Sequence, residues 1–196
     1  MTDLTFQRRR ADFEDMLRRA VCIMDNNRKL QEATPETPAR SLARLANEVA
    51  VLSSGWLVAA PQVGDDAETS LRLSNALIMR ALKVAAHCLQ AITDLEGVQG
   101  IPFEDLCAAM VDDAEEYFGA HSDEWLDLGV DPCLRVQSLL GALGEVADCW
   151  PISPDRPNPY GVDPEEWQFS TLFRLLFEAI CAALAAERGL WQEEES

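Results

Sequence analysis

The chain has two histidines and two lysines in 196 residues, and none of its six cysteines forms a CxxC pair. Each shortage removes a class of chemistry. Structural zinc is held by closely spaced ligand pairs, whereas Cys22, Cys88, Cys107, Cys133, Cys149 and Cys181 stand far apart, and neither His87 nor His121 adjoins a second ligand pair. A serine or cysteine nucleophile needs a base. His87, set among Ala85, Ala86 and Cys88, reads as core filling instead. A chain of this length buries enough core without disulfides, so the six thiols are expected to be reduced and buried. No apolar run approaches the roughly 18 residues of a membrane span. No apolar segment of the secretory type follows Arg8, Arg9 and Arg10. The expected location is the cytoplasm, and no catalytic residue, cofactor or metal ligand is assigned.

What the chain does have is a 48% apolar composition and a net charge of −18, from 34 acidic and 16 basic side chains. That apolar content exceeds what a disordered chain carries. Its periodicity is helical almost throughout. Over residues 5–30, Phe6, Phe13, Leu17, Ala20, Val21 and Met24 form one stripe. After Thr34-Pro35 and Thr37-Pro38, which supply a cap and a proline start, Leu42, Leu45, Val49, Leu52 and Trp56 form a second, ending near Pro61. A third runs to about Glu96 through Leu73, Leu77, Ala81, Val84, Cys88, Ile92 and Leu95. Pro102 opens a fourth helix to Phe118, with Phe103, Leu106, Met110, Ala114 and Tyr117 inward. Asp131-Pro132 starts a fifth, ending at Trp150, and four prolines make 151–162 a loop. Asp163-Pro164-Glu165-Glu166 is the strongest start signal, combining a cap, a first-turn proline and acids at the positive helix end. The sixth helix is expected to stop at Gly189, leaving a frayed acidic tail.

The chain also matches itself. At an offset of 97, residues 34–50 and 131–147 share six of 17 identities, among them Pro35 with Pro132, Leu42 with Leu139, and Glu48-Val49-Ala50 with Glu145-Val146-Ala147. Phe13-Glu14-Asp15-Met16 resembles Phe103-Glu104-Asp105-Leu106 at an offset of 90, and Leu77, Ala81 and Ala85 match Leu175, Ala179 and Ala183 at 98. A self-match at nearly fixed offset is the mark of a repeat. The expected fold is all-α: a six-helix bundle of two related three-helix units with pseudo-twofold symmetry. The first unit would span residues 1–100, the second 101–189, with an acidic tail at 190–196.

The charge is lopsided. Residues 1–50 carry a net +1 and residues 51–196 a net −19. No lysine or arginine occurs from Val84 to Leu134, a stretch of 51 residues with twelve acids. Asp105, Asp112 and Glu116 share a face of the fourth helix opposite its apolar stripe, and Asp112 and Glu116 are like charges four apart, which disfavours the isolated helix. A local rule broken without local compensation flags function. Such a field attracts basic partners and repels nucleic acid. Trp125, ringed by Asp123, Glu124 and Asp127, fits an interface anchor.

The expected partner-binding residues are therefore Glu104, Asp105, Asp112, Asp113, Glu115, Glu116, Asp123, Glu124, Trp125 and Asp127. They would engage a basic protein surface, such as that of a nuclease or nucleic-acid-binding complex, with no direct contact to nucleic acid or membrane. A phage inhibitor of a defence system, including a CRISPR complex, and a toxin immunity protein both fit that description. A second copy of the chain is a further partner to consider. Two alternatives compete. In the first, i,i+3 carboxylates such as Glu145 with Asp148 or Asp112 with Glu115 hold Mg²⁺, a spacing similar to that of the all-α nucleoside triphosphate pyrophosphohydrolases. The pattern departs from theirs where Cys181 follows Glu178 and Val51 follows Glu48. In the second, the acidity and lysine scarcity belong to a scaffold or oligomer subunit of a salt-adapted host.

Overall fold

Apolar residues at steps of three and four wind the chain into long helices with buried stripes. The computed structural model describes residues 3–31, 38–59, 67–95, 105, 108, 112, 132–149, 161 and 163–194. Within them run α1 (Asp3–Gln31), α2 (Pro38–Ala59), α3 (Ala67–Leu95), α4 (Pro132–Cys149) and α5 (Pro164–Glu194), with no strand among the described residues. Asp105, Ala108 and Asp112 are also helical.

The helices at the centre are α3 and α5, which pack most extensively on each other. α1 lies against both, α2 against α3, and α4 against α5 and α2. The sequence reflects these positions. α4 buries one stripe only, Val136, Leu139, Ala142 and Val146. α5 is buried from Leu175 through Ala186, on every face. Phe177, Leu172, Leu175, Leu176 and Ile180 are among its fully buried side chains, each worth about 1.5–3 kcal/mol of transfer free energy. Phe13 of α1 meets Phe177 with ring centroids 5.8 Å apart.

The start of α5 follows the sequence signal. Pro164 is its first residue, and the carbonyl of Asp163 accepts a 2.9 Å bond from the Trp167 N–H. Its end does not: the helix runs through Gly189 to Glu194. Glycine lowers helix stability by only about 1 kcal/mol, too little to stop a helix anchored by this much packing.

Two further expectations need correction. Among the thiols, Cys88 and Cys181 are buried, but Cys22 is exposed; Cys107, Cys133 and Cys149 lie outside the described side chains. Also, α3 and α5 contain the segments Leu71–Thr93 and Glu166–Glu187, long and apolar enough to cross a membrane, although no single uninterrupted apolar run is that long. In the folded chain 67% and 78% of those windows are buried, as in the central helices of a helical bundle.

Candidate functional site

Of the ten expected partner-binding residues, two fall among the described ones. Asp105 and Asp112, with Ala108 between them, are helical and exposed. Positions i, i+3 and i+7 share one side of a helix, so that face is turned outward, as the apolar stripe predicted. Glu104, Asp113, Glu115, Glu116, Asp123, Glu124, Trp125 and Asp127 lie outside the described residues.

The carboxylates paired by the 97-residue offset are placed clearly. Glu48 on α2 accepts a 2.8 Å bond from Arg80 Nη1 on α3. Glu145 on α4 accepts from Arg174 Nη1 on α5, at 2.7 Å to Oε1 and 2.8 Å to Oε2. Each glutamate thus ties its helix to the next one in the chain. Both oxygens of Glu145 are engaged by a guanidinium that offsets its charge, so a metal at this carboxylate would have to displace an ion pair. Glu178 and Cys181 are both buried within α5. Among the described residues, no three His, Cys, Asp or Glu side chains converge to hold a metal ion.

The arginines of α1 have partners too. Arg18 pairs with Glu14 at 2.6 Å, and Arg19 with Asp15 at 2.8 Å, one turn apart in the favourable order. Arg19 also reaches Glu187 of α5 at 3.0 Å. Partial burial of Arg19 works against its charged form, but Glu187 and Asp15 outweigh it and raise its pKa further.

A cleft that the sequence reading did not anticipate opens where α1, α2 and α3 meet. It has a volume of about 460 Å³ and is lined by Asn27, Arg44, Asn47, Glu48, Lys83 and His87, among others. His87 is half-buried and borders this cleft, which corrects its reading as core filling. The signal for it was present: over Leu77–Thr93 every residue of α3 is buried except Met79, Arg80, Lys83, His87 and Gln90, a narrow polar stripe at helical spacing.

Comparison of the chain with known protein families, with curated proteins and with solved structures finds no match.

Proposed function

We propose that this protein is a non-enzymatic acidic binding protein whose surface around the 102–131 segment engages a basic partner. The observation that carries the reading is the 51-residue stretch with twelve acids and no lysine or arginine. Asp105 and Asp112 contribute exposed charge two turns apart within it. A concentrated field of one sign accelerates encounter with an opposite surface and rejects like-charged ligands. The natural target is a nucleic-acid-handling protein, whose cationic groove is otherwise filled by phosphates. A phage anti-defence inhibitor, including an anti-CRISPR protein, and a toxin immunity protein both fit this chemistry, acting in the cytoplasm.

We read the architecture behind it as a six-helix bundle of two three-helix units. In support, Glu48 and Glu145, related by the offset, each bind an arginine of the following helix. The pairs α2–α3 and α4–α5 are likewise packed in the same order, around the central contact of α3 with α5. The magnesium pyrophosphohydrolase reading is disfavoured at Glu145, whose carboxylate is held by Arg174.

The test is reversal of Asp112, Asp113, Glu115 and Glu116 to lysine. Partner affinity is expected to fall, and its dependence on salt to flatten. Unchanged affinity in the variant overturns the reading.

A further inference from the structure

Charge is spread over the exposed parts of this molecule with one exception. On α2 and α4 together, all ten exposed positions described are uncharged, whereas ten of the twenty exposed positions described elsewhere are charged. The sequence accounts for the contrast. From Ser41 to Leu57 the only charged residues are Arg44 and Glu48, and from Val136 to Ala147 the only one is Glu145. All three are part-buried and already engaged: Glu48 by Arg80, Glu145 by Arg174, and Arg44 by a partner of its own. Arg40 and Asp148 stand just beyond the ends of these runs.

The same face carries exposed apolar bulk. Val51 on α2 and Leu140 on α4 are 39% and 38% exposed, two of the four large hydrophobic side chains turned to solvent among the described residues. α2 and α4 pack on each other, and their buried stripes, with Leu45 and Val49 on one and Leu139 and Val146 on the other, point inward. Their exposed sides therefore adjoin. Those sides also correspond at the 97-residue offset, which pairs Ala43 with Leu140, Asn47 with Gly144 and Ala50 with Ala147, all six exposed.

We propose that this face joins two copies of the chain in a twofold dimer, with α2 of each protomer against α4 of its partner. Two arguments select a second copy as the occupant. A chain of net charge −18 repels its own copy, and contact of like charges is costly, so two copies close most readily through a face without free charge. A twofold interface also apposes one patch to itself, so every contact occurs twice. Two helices with matching outward positions meet that condition, because α2 on α4 recurs as α4 on α2. The described part of the face is about 16 Å long at 1.5 Å per residue and about 20 Å wide for two helices. That is a few hundred Å² per protomer, below the roughly 800 Å² of a standard interface. The dimer is accordingly weak and concentration-dependent. It uses none of the residues of the acidic surface, and salt acts on it in the opposite direction: screening the repulsion between copies tightens the dimer.

The test is sedimentation equilibrium of the full chain at concentrations up to about 0.5 mM, in about 0.05 and 0.5 M salt. A monomer–dimer equilibrium that tightens with salt is expected. Ala50→Glu and Ala147→Glu each place an unpaired charge on the face at little cost to the helix, and unchanged helical circular dichroism verifies that they fold. Each should weaken dimerisation about tenfold or more. Ala11→Glu, at an exposed position of α1, adds the same charge elsewhere and should leave it nearly unchanged. A monomeric mass at every concentration and both salts overturns the proposal. A dimer that neither face variant weakens overturns it too, as does one weakened equally by Ala11→Glu, since net charge alone would then be responsible.

Discussion

Glu48 and Glu145 are worth comparing as residues, because two glutamates matched by the 97-residue offset in the sequence end up in two different degrees of burial. The Glu48 side chain is 16% exposed and that of Glu145 41%, while their arginine partners are alike at 38%. Screening by water weakens the more exposed pair. Double-mutant cycles with Glu48→Gln, Arg80→Gln, Glu145→Gln and Arg174→Gln should therefore give a coupling of about 1 kcal/mol for the first pair and less for the second, read from urea midpoints. A larger coupling at Glu145 would contradict the assignment. The thiols divide in the same way. Burial pushes the Cys88 thiol well above its ordinary range, while Cys22 is exposed. Iodoacetamide at neutral pH should modify Cys22 in the folded protein and leave Cys88 and Cys181 unmodified until denaturant is added; rapid labelling of Cys88 would contradict its burial. The Cys88 shift also sets a pH trend. The unfolded thiol ionises at about 8.5 and the folded one higher, so this group removes stability as pH rises above that value. Cys88→Ala should lessen the fall in melting temperature between about pH 8 and 10, and an unaltered slope would show that other groups cause it.

Legibility at this scale depended on helix geometry. Cys88 was readable as buried because it continues the stripe of Leu77, Ala81 and Val84. Cys22 was misread because all six thiols were treated alike, and His87 was misread from its immediate chain neighbours, although adjacent residues on a helix point about 100° apart. Judged by its neighbours one turn away, His87 belongs with Lys83 on the polar stripe. The Glu48 and Glu145 positions stood out in the self-match, but their partners Arg80 and Arg174 required the packing of α2 on α3 and of α4 on α5.

The helix as an element is most informative in α4. Its buried stripe is narrow, and Gly141 and Gly144 occur on its exposed side. A methyl group built at either glycine meets nothing within 4 Å among the described residues. Gly141→Ala and Gly144→Ala should each stabilise the protein by about 0.5–1 kcal/mol, since glycine in a helix interior carries that entropic penalty. A drop in the urea midpoint of either variant would mean that the face is covered. The opposite result is expected on α5, where Ile180→Ala should cost about 2–5 kcal/mol. Helix starts were legible because they depend on local chemistry, as at Asp163 and Pro164. The end of α5 was not, because the continuous burial of Leu175–Ala186 outweighs one unfavourable glycine.

For the whole molecule the governing quantity is charge. Residues 51–196 carry −19, and Arg18 and Arg19 of α1 and Arg72 and Arg80 of α3 are committed to pairs within and between helices. Self-repulsion in such a chain opposes compaction. Raising ionic strength from 0.01 to 0.1 M shortens the screening length from about 30 to 10 Å, so the melting temperature should rise over that interval; a fall would show that attractive pairs outweigh the repulsion. The all-helical class was legible in the 3.6-residue periodicity, which is set by the buried stripe of each outer helix, such as Val136, Leu139, Ala142 and Val146 of α4. The pairing of α3 with α5 was not, because stripes reveal which residues are buried and not against which partner. The exposed side of Asp105 and Asp112 was likewise readable from their spacing against Phe103, Leu106 and Met110.

The most direct test of the acidic-binding account is a paired affinity capture from the native host, and from its prey or competitor, washed at low and at high salt. The bait would be the parent protein and the variant with Asp112, Asp113, Glu115 and Glu116 reversed to lysine. The account predicts a stoichiometric basic partner on the parent protein, released as salt rises and absent from the variant. A partner held equally by both proteins, or none at either salt, would contradict it.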